Sequence, residues 1–230
     1  MKIALCLSGQ PRCVKQGYEY HKKNLLDHYD VDVFCHVWDT NGVENISLYN
    51  PTALMIEKSL TNDLSKYTRV PPPQPNWKVK DPARAAWNLT YSLMKANELR
   101  QASTTKYDWV IRSRYDFALN VVIPFAELDS TKLYIPNCRM TPQRDFGNDQ
   151  FAFSSPENMD KYADCFNQIN KFYDLGTIMI GEEMMAANWR EKGLTGENLV
   201  YFDPNHPFPP GSHNGTWHSL LREDFESWQK

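Results

Sequence analysis

The chain is short of the residues that several function classes require. Only 10 of its 230 residues are glycine, and none of them builds a Gly-x-x-x-x-Gly-Lys loop or a Gly-x-Gly-x-x-Gly turn after the first strand-like run. Nucleoside triphosphate hydrolysis and the usual dinucleotide binding lose their main support. A Gly-x-Ser-x-Gly elbow and a His-Glu-x-x-His pair are also missing, which weighs against esterase and metalloprotease chemistry. The five cysteines, Cys6, Cys13, Cys35, Cys138 and Cys165, form no Cys-x-x-Cys pair, and their scatter fits free thiols in a reducing compartment. No apolar run reaches the length of a membrane span, and Met1 to Leu7 is too short for a secretory leader. Asn45-Ile46-Ser47, Asn88-Leu89-Thr90 and Asn214-Gly215-Thr216 therefore read as chance matches to the glycosylation acceptor pattern. A net charge of −3 gives no general pull toward nucleic acid or anionic membrane, so positive charge has to be sought in pockets.

What remains is an ordinary globular composition, 41% hydrophobic and 23% charged, enough for one α/β domain spanning 1–230. Short apolar runs at Ile3 to Leu7, Val31 to Val37, Ala53 to Glu57 and Trp109 to Ile111 predict buried strands. Val14 to Tyr29 predicts a helix, and 39–50 a loop. Asp81-Pro82 is a helix start, with Asp as N-cap and Pro at the first helical position. Ala86, Leu89, Leu93, Ala96 and Leu99 then mark one face of a helix ending near Ser103. Residues 71–75, Pro-Pro-Pro-Gln-Pro, exclude helix and central strand and predict a lid or a rigid extended connection. In the second half, Lys132 to Pro136, Gln150 to Ser154 and Asn198 to Asp203 predict strands. Between them lie a helix opening at Ser155-Pro156-Glu157, with Met159, Tyr162, Ala163 and Phe166 inward, and another over Glu182 to Lys192 that stops at Gly193. The alternation implies a mainly parallel sheet flanked by helices, with an irregular C-terminal half.

The segment Tyr107-Asp108-Trp109-Val110-Ile111-Arg112-Ser113-Arg114-Tyr115-Asp116-Phe117 carries the sharpest chemical signal. An apolar strand turns abruptly charged at its C-terminal end, where open α/β sheets bind ligands. Two arginines followed by an aspartate suit a nucleoside diphosphate and its cation, since guanidinium forks onto phosphate and carboxylate holds a hard metal ion. A salt-bridge network of purely structural use is the competing account. The first strand runs into Ser8-Gly9-Gln10-Pro11-Arg12 and the second ends Asp32-Val33-Phe34-Cys35-His36-Val37-Trp38. Three sheet elements thus deliver polar groups to what is expected to be one edge.

This arrangement resembles the glycosyltransferases of GT-A fold, and more narrowly the small ones of bacterial polysaccharide loci and large viruses that open with a Ser-Gly-Gln-x-Arg turn. The resemblance spans most of the chain, through Ser8 to Arg12, Asp32 to Trp38, Tyr107 to Asp116, Asn148 to Ser155 and Gly181 to Met185. It implies a nucleotide-sugar-binding half (1–120), an acceptor-side half with the tail (121–230), and transfer of a sugar from a nucleoside-diphosphate donor to a glycan or glycoconjugate. Ser8, Gly9, Gln10, Arg12, Arg112 and Arg114 would meet the nucleotide. The Asp-x-Asp metal motif of that fold is here Arg114-Tyr115-Asp116, so only Asp116 is carried over as a ligand for Mn²⁺ or Mg²⁺, with His213 and His218 of the tail completing the site. The catalytic carboxylate is sought in Glu182 and Glu183, adjacent residues that cannot both face inward on a helix, with Glu183 slightly ahead. Asp149 is the other candidate, as base or as acceptor for sugar hydroxyls. Favourable charge at a helix N-terminus would by itself explain the glutamates. Trp38 and Trp217 are candidates for stacking on sugar or base, or else packing residues. The expected location is cytoplasmic, in the host cytoplasm for a viral chain. A nucleotidyltransferase and a non-catalytic carbohydrate-binding protein of the same fold are the alternatives.

Overall fold

The computed structural model describes residues 1–72, 80–136, 149–202 and 221. Among them the frame is a seven-stranded sheet of β1 (Lys2–Gly9), β2 (Asp30–Trp38), β3 (Ala53–Glu57), β4 (Trp109–Ser113), β5 (Leu133–Pro136), β6 (Phe151–Ser154) and β7 (Leu199–Phe202), in the order β3-β2-β1-β4-β6-β5-β7. β3, β2, β1 and β4 are parallel. β6 runs antiparallel to both β4 and β5, and β7 is parallel to β5. The expected α/β class holds, and the reversal at β6 is what makes the second half irregular.

The central strands are apolar on both faces because both are covered. Ile3, Leu5, Leu7, Val33, Cys35, Val37, Trp109 and Ile111 face one core, while Ala4, Cys6, Phe34 and Val110 face the other. The first core is roofed by α1 (Val14–His21) and the turn after it, the second by α2 (Pro82–Gln101), α3 (Pro156–Ala163), α4 (Cys165–Asp174) and α5 (Gly181–Glu191). This double cover explains why these strands read as continuous hydrophobic runs rather than alternating ones. α2 begins as its sequence predicts, the Asp81 carboxylate accepting the Arg84 amide at 2.9 Å with Pro82 at the first helical position. Ala86, Leu93 and Ala96 are buried against the sheet.

Three stretches depart from the sequence expectations. The helix expected over Val14 to Tyr29 stops at His21 and widens into a π turn over Lys22–Leu26. The wider turn lets Asn24 reach the Leu119 carbonyl at 2.6 Å while Leu25 stays fully buried. The expected loop 39–50 contains a 3₁₀ helix, Val43–Tyr49, because Ile46 and Tyr49, three apart and aligned on such a helix, both bury. The single helix expected after Ser155 is broken at Asp164, whose carboxylate accepts from Lys192 and Asn167. The break moves Phe166 off the buried stripe and puts Cys165, Ile169 and Phe172 there instead. The proline run falls largely on 73–79, outside the described residues, as does Cys138; Cys6, Cys35 and Cys165 are buried free thiols.

α1 presses its backbone onto the loop after β4. A Cβ at Gly17 would stand 1.8 Å from the carbonyl oxygen of Tyr115. Glycine is needed there for space alone. Gly17→Ala, which by helix propensity ought to stabilise, is expected to lower the unfolding free energy by about 1–3 kcal/mol through overpacking. Urea unfolding followed by circular dichroism checks this, and an unchanged or raised midpoint would mean that α1 does not bear on the loop.

Candidate functional site

The chain runs from β1 through β2 to β3 on one side of β1, then returns by α2 to β4 on the other. Adjacent parallel strands whose connections leave in opposite directions open a crevice at their carboxyl ends. Here those ends are Ser8-Gly9 of β1 and Arg112-Ser113 of β4, joined in register through Cys6 beside Arg112 and Leu7 beside Ser113. β2 ends level with β1, Ser8 lying beside His36. The expected meeting of three polar strand ends at one edge is therefore realised.

On the β1 side, the Ser8 hydroxyl is buried with no hydrogen-bond partner, and Gly9 turns the chain out of the sheet at φ 115°. Beyond it, Gln10 and Arg12 line an open cleft of about 430 Å³ with Thr40 and Asn41. Thr40 and Asn41 are functional candidates that the sequence did not single out, since nothing local ties the end of β2 to the turn after β1. Trp38 does not face this cleft. It is buried and stacks on Tyr91 at 5.8 Å, which makes it a packing residue. His36, the polar interruption of β2, is also structural, held between Ser92 at 2.7 Å and Glu57 at 2.8 Å.

On the β4 side the two arginines have different environments. Arg114 is a partly exposed fork, its Nε and Nη2 donating to the two oxygens of Asp116 at 2.8 Å each. Burial pulls its pKa down, but Asp116, Asp149 and Glu182 outweigh this and raise it. The Nη1 edge of the guanidinium remains for a ligand. Arg112 is only 1% exposed, and its Nε and Nη1 have no hydrogen-bond partner. Burial lowers its pKa against the opposing pull of Tyr162 and Asp149. Arginine nonetheless stays charged, so this is a buried cation balanced by field rather than by contact.

The loop that carries these groups is pinned from below. Ser113 donates to the Arg114 carbonyl at 3.0 Å and meets His21 Nε2 at 3.0 Å, while His21 Nδ1 meets the Tyr49 hydroxyl at 2.8 Å. Taken together, the bonds require Nε2 to donate and Nδ1 to accept. The Asp116 carbonyl accepts the amide of Leu221 at 2.7 Å, so Leu221 lies against the loop. His21 and Tyr49 were not legible as site supports, because a histidine in a helix and a tyrosine in a loop carry no mark of meeting.

The carboxylates opposite come from the start of α5 and from Asp149, just ahead of β6. An added Cβ on Gly181 would lie 3.1 Å from Asp149 Oδ2, so Asp149 rests directly on the first residue of α5. Glu182 follows at once, and burial, then the Asp149 charge, pushes its pKa up to about 7, with Arg114 pulling the other way. Of the two glutamates it is Glu182 that shares the field of Asp149 and Arg114. Glu183 lies in the same first turn.

Of the three groups expected to hold a divalent ion, only Asp116 lies among the described residues. Both Asp116 oxygens are taken by Arg114, and no group of three or more His, Cys, Asp or Glu among the described residues is arranged to hold a metal. His213, His218 and Trp217 lie outside the described residues. No helix among the described residues is long and apolar enough to cross a membrane. Comparison with models of known protein families and with curated proteins finds no match to this chain.

The His21 relay has a pH consequence. Burial holds its pKa down to about 4, against 6.5 for the free group, so the unfolded chain takes up the proton first. The stability it secures is complete above pH 6.5 and is lost as pH falls to 4, by about 3 kcal/mol in all. Equilibrium unfolding across this window should be steeper for the wild type than for His21→Gln; parallel curves would remove His21 from the account.

Proposed function

We propose that this chain is a glycosyltransferase of GT-A type that moves a sugar from a nucleoside-diphosphate donor to a glycan or glycoconjugate hydroxyl. The observation that carries the reading is the juxtaposition, at the switch-point crevice, of the Arg114–Asp116 fork with the Asp149 and Glu182 carboxylates. Transfer makes two demands on a protein. Negative charge building on the leaving diphosphate must be met by fixed positive groups, and the acceptor hydroxyl must lose its proton as the sugar carbon becomes electron-poor.

Arg114 supports the first demand with its remaining donor edge, and Arg12 adds a second guanidinium from the β1 side. The cleft of Gln10, Thr40 and Asn41 offers amide and hydroxyl groups for base and ribose. Glu182 suits the second demand, because a carboxylate with a pKa near 7 is a stronger base than an ordinary one and is still ionised in good part at neutral pH. Asp149 is placed to accept hydrogen bonds from sugar hydroxyls. The donor's phosphates are thus assigned to guanidinium groups, and no step is routed through Mn²⁺ or Mg²⁺.

Calorimetry and hydrolysis assays across UDP-, GDP- and TDP-sugars, each with Mn²⁺ and with a chelator, test the reading. One donor is expected to bind and to turn over slowly without acceptor, and its binding should survive the chelator. Loss of binding on chelation would return Asp116 to a metal ion. Affinity for free glycan without donor turnover would favour a binding protein, and consumption of a nucleoside triphosphate a nucleotidyltransferase. Once a donor is found, Glu182→Gln should lower transfer by about 10²-fold or more while Glu183→Gln changes it less than about tenfold; the reverse order would give the base to Glu183.

A further inference from the structure

A second cavity, of about 570 Å³, opens at the start of α2 and shares no lining residue with the cleft of Gln10, Arg12, Thr40 and Asn41. Its volume lies in the range that small-molecule sites occupy. One wall is the stretch 58–70, which forms neither helix nor strand and is nonetheless fastened at several points. Arg84 of α2 donates to the carbonyls of Leu60 at 2.9 Å and Asn62 at 2.7 Å. Asn170 of α4 accepts the Tyr67 hydroxyl at 2.6 Å. The Tyr173 hydroxyl accepts the Arg69 amide at 3.0 Å and donates to the Lys66 carbonyl at 3.1 Å, and the Arg69 carbonyl accepts the Met179 amide at 2.8 Å. A long irregular segment held in place by side chains from two helices is the kind that carries binding sites.

The lining sets the class of ligand. Leu64, Tyr67 and Ala83 are buried and give the cavity an apolar base. The Tyr67 ring is braced edge-on by Tyr173 at 4.9 Å and lies tilted against Trp87 at 5.6 Å, so this base is formed before any ligand arrives. The side chains of Thr61, Asn62 and Ser65 are exposed at the cavity and bring hydroxyl and amide groups that both donate and accept. The charges of the lining balance, with Asp63 and Asp81 against Lys80 and Arg84, and Arg84 is already spent on the two carbonyls. A phosphate meets no surplus positive charge here, and a metal ion no surplus negative charge. An apolar base with neutral hydroxyl and amide groups suits a neutral ligand dense in hydroxyls, which is the chemistry of a sugar ring.

α2 links this cavity to the crevice. Six residues beyond Ala83, about 9 Å along the helix, Leu89 packs at Gly181, where an added Cβ would stand 2.6 Å from Leu89 Cδ2 and 3.1 Å from Asp149 Oδ2. A short oligosaccharide spans that separation. We infer that the cavity is a binding site for a neutral oligosaccharide, and that it holds the acceptor glycan by sugar units remote from the hydroxyl that reacts. The acceptor role rests on the proposed transfer reaction, whereas the binding of sugar does not.

Backbone-amide NMR of the full chain, titrated with neutral oligosaccharides of glucose, galactose, mannose, N-acetylglucosamine, rhamnose or fucose, tests this. At least one is expected to shift the amides of Asn62, Asp63 and Ser65 to saturation. Asn62→Ala should then weaken its binding by about three- to tenfold with the thermal unfolding midpoint unchanged, and Ser65→Trp, which fills the cavity, should remove the shifts. Should Ser65→Trp fail to fold, Asn62→Ala decides, because the Asn62 side chain is exposed and its bond to Arg84 is made by the backbone. The inference is overturned if no oligosaccharide shifts these amides, if the shifts gather at Gln10, Thr40 and Asn41 instead, or if binding is indifferent to Asn62→Ala. UDP, GDP and TDP should leave Asn62, Asp63 and Ser65 unshifted; a saturable shift there would overturn the ligand class. If an oligosaccharide binds here and no nucleotide-sugar is turned over, the transfer reading falls while the site stands. If transfer is found, Asn62→Ala should act on the acceptor KM more than on kcat, and an unchanged KM would strike the acceptor role alone.

Discussion

Two guanidinium groups at the end of one strand set the terms for the rest of the site. Taking a charged group out of water is costly unless opposite charge and hydrogen bonds replace the lost hydration. Arg114 meets this cost by contact, through the bidentate bond to Asp116. Arg112 meets it by proximity to Asp149 and Tyr162. The carboxylates are drawn in from distant parts of the chain, and burial, followed by the charge of Asp149, lifts the proton affinity of Glu182. The Glu182 pKa is thereby raised to about 7, the property that the proposed transfer asks of its base.

The fold serves this cluster by holding the β4 end rigid. β1 fixes it laterally, with Cys6 and Leu7 in register beside Arg112 and Ser113. Ala152 and Phe151 of β6 fix it from the other edge in antiparallel register, and the Arg114 amide extends that ladder to the Gln150 carbonyl at 3.2 Å. The turn of β6 against the sheet direction thereby brings Asp149, just ahead of β6, alongside the C-terminal end of β4. Had β6 run parallel, the segment before it would have emerged at the opposite edge. From below, the neutral His21 joins Tyr49 to Ser113, and the bare backbone of Gly17 lets α1 lie against Tyr115. Rigid support of this kind keeps charged groups in place when a ligand arrives, so less free energy is spent on reorganisation.

Much of the frame was legible because its causes are local. Ala53–Glu57 is a strand over the span its composition predicts, and Asp81-Pro82 starts α2 through a side-chain cap that needs only three residues to form. The departures arose where tertiary packing overrode local preference. Asn24 and Leu25 both turn inward only in a widened π turn, and Asp164 breaks a helix to reach Lys192. In the site, the charged end of Trp109–Ser113 announced itself by the contrast of apolar and ionic residues. Arg112 and Arg114, so alike in the sequence, are buried to different degrees because strand residues share a face at i and i+2 only while the strand continues. β4 ends at Ser113, so Arg114 escapes the rule.

The α/β alternation, the helix starts and the gathering of polar residues at the ends of β1, β2 and β4 follow from short stretches of chain, since burial patterns and backbone sterics act over a few residues. The sequence also placed Glu182 and Glu183 at a helix start without separating them. Only the assembled fold rests Asp149 on Gly181, buries Arg112, lets Arg114 grip both oxygens of Asp116 and raises the proton affinity of Glu182. The reason is the range of the forces involved. Electrostatic partners are chosen by distance in space and by the loss of water around them, and neither quantity exists until the sheet has brought the strand ends together.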